Sequence, residues 1–262
     1  MKTVLLVIDP QNDFVDVKGS LYVKGSEDAI QNLADYIREC SKDDSICRIV
    51  VSQDTHTKVN VGFSDFWKGN PEWFTKITAE DIRQKKFVPA NMTIDAEEIA
   101  KHLDERGQVI TIWPPHCMEE TWGVEFPSEI RAALGRWMYT RKGENNTDNF
   151  NLLVKGTGIH EAYSILDCCR SAYGTKSGFE ELIDTFIKDG VEVIEICGFC
   201  TDVCVKYSTH DLIAELINRF NKGEKVPHKI EFLPECSKAI GDDLVANAEI
   251  EAMLDSYNGL FS

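Results

Sequence analysis

The sequence contains no apolar run near the roughly 18 residues that a membrane span needs, so nothing in it calls for a bilayer. It is also short of positive charge. Lys and Arg number 28 against 44 Asp and Glu, a formal net charge of -16. That balance argues against nucleic acid and anionic membrane as partners, because both need a basic footprint. It does not exclude a small anionic product, since the charge of the site itself decides that. The opening stretch MKTVLLVIDPQNDF carries one Lys and a short apolar run that Asp9 interrupts, with no small-residue cleavage site. It lacks the pattern of a signal peptide, and a cytoplasmic location is expected. No internal repeat and no low-complexity linker divides the chain. A disulfide framework is missing too: the nine cysteines (40, 47, 117, 168, 169, 197, 200, 204 and 236) are odd in number and read as reduced thiols.

What is present is an ordinary globular composition, 43% hydrophobic and 27% charged over 262 residues, enough for one sizeable core. Apolar, β-branched runs alternate with amphipathic segments. Strands are expected at Val4–Asp9, Ile46–Asp54, Gln108–Trp113, Asn151–Lys155, Val191–Gly198 and Ile230–Leu233. Helices are expected near Asp28–Lys42, Ala96–Arg106, Ser128–Tyr139, Phe179–Asp189, Thr201–Phe220 and Asp243–Tyr257, with 55–95 mostly irregular. Apolar strands alternating with helices indicate an α/β fold: a doubly wound, mostly parallel six-stranded sheet covered on both faces, in three layers. One domain is the simplest organisation.

The unusual residues sit at strand ends. Asp9 closes the first strand, Asp54 the second with His56 just beyond, His116 follows the third, Lys155 ends the fourth, and Cys204 lies past the fifth. In an open parallel sheet ligands bind outside the carboxyl ends of the strands, so these residues are expected to converge. Asp54, His56 and His116 offer one carboxylate and two imidazoles, a set suited to Zn, Fe or Mn. Asp9, Lys155 and Cys204 put a thiol beside an acid/base and a cation. An ammonium and a helix N-terminus both lower a thiol pKa, which predicts an activated nucleophile at Cys204.

Five segments in this order, IDPQNDF (8–14), SQDTH (52–56), WPPHC (113–117), VKGTG (154–158) with EAYS (161–164), and GFCTDVC (198–204), resemble the nicotinamidases and related isochorismatase-like cysteine hydrolases. The resemblance spans most of the chain. It implies a single isochorismatase-like domain over 1–262, with a long insertion at about 64–107. It further implies Asp9 as catalytic acid/base, Lys155 as the cation beside the thiol and Cys204 as nucleophile. Asp54, His56 and His116 match metal ligands for a divalent ion, and Phe14 and Trp113 match aromatics that sandwich the substrate, with Tyr163 near the pocket. The resemblance also implies a cis peptide at Phe199–Cys200 and an oxyanion hole formed by the backbone N–H groups of Cys200 and Cys204. Asn60 stands where some members carry a further His ligand. The implied activity is hydrolysis of nicotinamide to nicotinate and ammonia through a thioester, a step of NAD salvage, and a homo-oligomer is compatible with it.

Other readings stay open from sequence. The long segment from Phe63 to Trp113 favours a related carbamoyl or ureido amide as substrate. A non-catalytic protein on this fold, or a thiol-redox role for Cys197 and Cys200, belongs to a different class. The aromatic cluster Phe63–Phe74 reads as a satellite core. Cys117 reads as packing, and His102, His160, His210 and His228 as surface or structural residues.

Overall fold

The computed structural model of the chain describes residues 1–140, 149–160, 163–166 and 178–261. Its seven strands are β1 (Thr3–Ile8), β2 (Ile46–Asp54), β3 (Lys76–Ile77), β4 (Ile110–Thr111), β5 (Phe150–Lys155), β6 (Val193–Phe199) and β7 (Lys229–Lys238). Helices are α1 (Asn12–Val15), α2 (Ser26–Cys40), α3 (Ala79–Arg83), α4 (Ala96–Arg106), α5 (Ser128–Thr140), α6 (Gly178–Asp189), α7 (Lys206–Asn221) and α8 (Asp243–Asn258). Glu161 and Ala162 of the EAYS segment, with Cys168 and Cys169, lie outside the described residues.

The main sheet has the order β5-β2-β1-β6-β7, and every pairing in it is parallel. Side-chain alternation explains why β1 is apolar on both of its faces after Thr3. Leu5 and Val7 of β1 point into a core with Leu33 and Ile37 of α2 and Ile130 and Trp137 of α5. Val4, Leu6 and Ile8 point the other way, to Phe179 and Phe186 of α6, Leu212 and Leu216 of α7, and Ile250 and Leu254 of α8. Helices thus cover both faces, as the sequence pattern predicts.

The strand count differs from expectation. Six strands are read from the sequence, but the main sheet holds five. The segment expected as a third sheet strand, 108–113, forms only β4, paired antiparallel with β3 in a separate two-stranded sheet. The reason is competition for an edge: β5 occupies the free side of β2 in register from Ile49↔Phe150 to Asp54↔Lys155. Ile110 and Ile112 are instead buried in a satellite core with Trp67, Ile77, Ile82, Ile99 and Leu103. The stretch 55–95, expected to be irregular, contains β3 and α3. The helix is opened by a capping box in which Thr78 and Asp81 exchange side-chain and backbone hydrogen bonds. Among the described residues no helix is long and apolar enough to cross a membrane.

Candidate active site

The register of the sheet builds the site. Asp54 and Lys155 are Cα partners at the carboxyl ends of β2 and β5, so their side chains leave the sheet side by side. Asp9 follows β1 in a left-handed backbone conformation, φ 48. After β6 comes a cis peptide between Phe199 and Cys200. A π-helical turn at Thr201–Val205 then carries Cys204 ahead of α7. His116 arrives without a third sheet strand: the His56 N–H donates to the Cys117 carbonyl at 2.9 Å, and the Glu119 N–H to the His56 carbonyl at 3.0 Å.

The residues read from strand ends converge. The Lys155 Nζ lies 3.0 Å from Asp9 Oδ2, 3.1 Å from Asp54 Oδ1 and 3.5 Å from Cys204 Sγ. All of these groups are buried. The sequence treats the thiol set and the imidazole set as separate; the structure joins them through this one ammonium. An ammonium has three N–H donors, and Lys155 has an acceptor in each of three directions.

Electrostatics follow from that burial. Burial pushes the Asp9 carboxyl up, with Lys155 opposing and Asp54 adding to the rise. Burial would also raise Asp54, but His56 and Lys155, with hydrogen bonds from both imidazoles, hold it well below the usual carboxylate range. Lys155 is raised well above an ordinary lysine. Its burial is outweighed by the charges of Asp54 and Asp9. For Cys204 the outcome differs from the sequence expectation. Burial takes the thiol well above its ordinary value, Lys155 opposes this, and Asp9 and Asp54 add to it. The direction of these effects favours the protonated thiol at Cys204.

Asp54, His56 and His116 each present a ligand atom, all within 4.8 Å of one another. The Asp54 Oδ2 lies 2.8 Å from His56 Nε2 and 3.5 Å from His116 Nε2. His116 Nδ1 is 2.8 Å from the Pro114 carbonyl. A carbonyl can only accept, so Nδ1 donates to it, and Nε2, which faces Asp54, is the nitrogen that would give up its proton to a metal. The Asn60 amide nitrogen is 3.3 Å from His56 Nδ1, and its oxygen accepts the Gly62 N–H at 2.7 Å. Asn60 thus braces His56 rather than joining the three. An ionised carboxylate with two imidazoles suits a divalent metal. A Cβ on Gly156, at φ +80, would come within 2.7 Å of Asp54 Oδ1 and 3.0 Å of His56, so only glycine leaves room for this cluster.

Phe14, Trp113 and Tyr163 line a pocket of ≈ 300 Å³ with Lys155, Cys200 and Cys204, as the sequence expectation has it. Its walls also include Val203 and Ile240. The Phe14 ring is 5.5 Å from His116 and Trp113 is 6.4 Å from it. Phe63 is not part of the satellite core. Its ring stands 5.3 Å from His56 and 6.0 Å from His116. Trp73 and Phe74 are exposed, so of the aromatic cluster only Phe66 and Trp67 serve that core.

Several positioning residues escape the sequence reading. The Ser52 hydroxyl donates to Asp9 Oδ1 at 2.7 Å and accepts the Asp9 N–H at 3.1 Å. The Gln11 amide donates to the Asp54 carbonyl at 2.6 Å and accepts its N–H at 2.7 Å. Asp13 accepts from the Cys117 N–H at 2.6 Å and the Ser20 N–H at 2.8 Å. Gln11 and Asp13 belong to the IDPQNDF segment and Ser52 to SQDTH, so the motifs themselves carry that signal. Cys197, Cys200 and Cys117 are buried free thiols, each raised well above an ordinary thiol by burial first of all. His102 and His160 stack at 4.2 Å.

No family model matches the chain. The nicotinamidase of Schizosaccharomyces pombe is 24% identical over 204 residues, 77% of this chain and 72% of that protein. The solved yeast nicotinamidase Pnc1p superposes with a TM-score of 0.66 at 20% identity, over 98% of this chain and 97% of that one. A pyrazinamidase of Pyrococcus horikoshii, solved in complex with zinc, gives 0.53 at 21% identity over 97% of each chain. The chain is thus similar in sequence to curated nicotinamidases and shares the fold of solved nicotinamidases and pyrazinamidases, with its motif residues gathered at one end of the parallel sheet.

Proposed function

We propose that this protein is a cysteine amidohydrolase that converts nicotinamide to nicotinate and ammonia, with Cys204 as nucleophile. The observation that carries the reading is the Lys155 ammonium shared by Asp9, Asp54 and Cys204 at the floor of an aromatic-walled pocket.

Asp9, whose burial makes it a better base than an exposed carboxylate, takes the Cys204 proton. Lys155 stays protonated and offsets the charge that appears on sulfur. The thiolate attacks the carboxamide carbon, and the N–H groups of Cys200 and Cys204 donate hydrogen bonds to the developing oxyanion. Asp9 returns the proton to the leaving ammonia, then deprotonates the water that opens the thioester. Phe14 and Trp113 clamp the ring, and Tyr163 closes the pocket wall. A divalent ion held by Asp54, His56 and His116 would supply Lewis acidity that orients a ring nitrogen or a water. Zinc is the identity we favour, on the precedent of the archaeal pyrazinamidase.

The test is ammonia release from nicotinamide by the metal-replete protein, with C204A in parallel. Turnover should fall by at least about a thousandfold in the variant, as removal of a nucleophile does. Near-wild-type turnover in C204A would remove the nucleophile assignment. Absence of turnover in the wild type, with Cys204 alkylating normally, would leave a cysteine hydrolase of another amide.

A further inference from the structure

The catalytic pocket does not end at its aromatic clamp. Trp113, Tyr163, Val203 and Ile240 line it, and the same four residues also line a second, larger hollow of ≈ 870 Å³ that continues outward. One wall of this hollow comes from the long segment between Phe63 and Trp113: Phe74, Lys76, Val109 and Thr111. The other comes from Asp202, Lys206 and Tyr207, next to the nucleophile turn. These walls are fixed. The Thr111 N–H donates to the Tyr163 hydroxyl at 3.1 Å, and Tyr163 stacks on Tyr207 at 5.3 Å. Phe74 meets Trp113 edge-on at 5.9 Å, with its ring half exposed.

The charges of the hollow suit an anion. Asp202 is committed to backbone, its two oxygens accepting the Ile240 and Gly241 N–H groups at 3.0 and 2.9 Å. Lys206 is paired with Glu249 at 2.7 Å. Lys76 is exposed and makes no ion pair among the described residues. In a chain of net charge -16, a lysine facing an aromatic-walled hollow beside the active site is a local exception. Electrostatic complementarity of that kind selects ligands.

We infer that this hollow is a second substrate subsite, which takes the anionic arm of an aromatic carboxamide whose ring is held in the inner pocket. The inference rests on the amidase reading and deepens it. The inner pocket fixes the scissile amide at Cys204, and the outer hollow selects carboxamides that carry a short carboxylate arm on the ring, with Lys76 as its counter-ion. The long segment supplies this selectivity while leaving the catalytic residues untouched.

The experiment compares nicotinamide with nicotinamides bearing a carboxyethyl arm at the 5- or 6-position, and with hydroxypropyl-armed controls. Both hydrolysis and protection of Cys204 against iodoacetamide are measured, in the wild type and in K76E. At least one carboxylate-armed amide should bind more tightly than its neutral control by roughly three- to fivefold, the worth of a partly exposed ion pair. K76E should abolish or invert that preference, read as the ratio of armed to neutral amide within the same variant. If nicotinamide is hydrolysed but no armed amide outcompetes its control, or K76E leaves the preference intact, the subsite falls and the amidase reading stands. If nothing is hydrolysed, yet a carboxylate-armed amide protects Cys204 in a Lys76-dependent manner, the subsite stands and the reaction assignment falls.

Discussion

Replacing Lys155 by Met tests the centre of the site by removing one charge and little volume. The methionine chain can follow the same buried path, so packing is nearly kept. What is lost is the single ammonium set 3.0 Å from Asp9, 3.1 Å from Asp54 and 3.5 Å from Cys204. Breaking a buried ion pair by deleting one partner costs about 3–5 kcal/mol. In a chain of this size that corresponds to a fall in Tm on the order of 10 °C. The pH dependence gives the sharper check. Asp9 is already raised by burial, and Lys155 is what opposes the rise; without it the folded-state pKa climbs further above the unfolded one. A carboxyl raised in the folded state contributes stability below its unfolded pKa and loses it as pH rises through the folded one. The gap between wild type and K155M should thus be small near about pH 4 and widen toward about pH 8. Urea unfolding followed across that range measures it. A gap that stays flat with pH, or stays below about 1 kcal/mol throughout, would refute the reasoning, because the two carboxylates would not then depend on this cation.

Two further predictions follow from the surroundings of the site. G156A places a Cβ within 2.7 Å of Asp54 Oδ1 at a backbone φ of +80. The left-handed backbone alone costs roughly 1–2 kcal/mol, and zinc affinity in equilibrium dialysis should fall by about 10- to 100-fold, as when ligand orientation is lost. Unchanged zinc affinity would show that the ligands do not need that space. The pKa of His160 is pushed down to about 4, by burial first and by the stacked His102 second. A histidine lowered in the folded state gives stability that is full above about pH 6.5 and is lost as pH falls toward about 4. Full sequestration would put this at roughly 3 kcal/mol, and partial exposure reduces it to about 1–2 kcal/mol. H160F should therefore lose less stability than wild type between about pH 6.5 and pH 4 in chemical denaturation, and equal losses would remove the imidazole as the cause.

The fold was legible wherever a strand lies between two helical layers. Such a strand is apolar on both faces, and Val4–Ile8 and Ile49–Val51 announce this directly, with Val193, Ile194 and Ile196 doing so around a single Glu195. The segment at 108–113 has the same apolar character but a different destination, and composition carries no information about which edge of β2 is taken. Only β5, in register with Ile49–Asp54, decides that. Phe63 was misread for a related reason: its neighbours Phe66 and Trp67 do form a satellite core, while its own ring packs on His56 and His116. Sequence proximity suggested one fate for side chains that a short 3-10 turn, Ser64–Phe66, sends to different places.

The residues of the candidate site were legible for a reason that also explains what the sequence could not show. Topology gathers strand ends, so a residue's position after a strand is enough to predict that it reaches the site. The state of a residue there depends on the full set of neighbours. Lys155 by itself implies a lowered thiol pKa, yet the same burial that brings it to Cys204 also brings Asp9 and Asp54. Two carboxylates and desolvation outweigh one ammonium, so the thiol rests protonated. The arrangement then needs a base close to that thiol and tied to the same cation. Asp9 is so tied, with Ser52 fixing its other oxygen. In the proposed reaction a pre-formed thiolate would make Asp9 dispensable for the first step; a protonated thiol would make the Asp9–Lys155–Cys204 group a single unit, in which proton removal from sulfur and retention of the proton on Lys155 occur together.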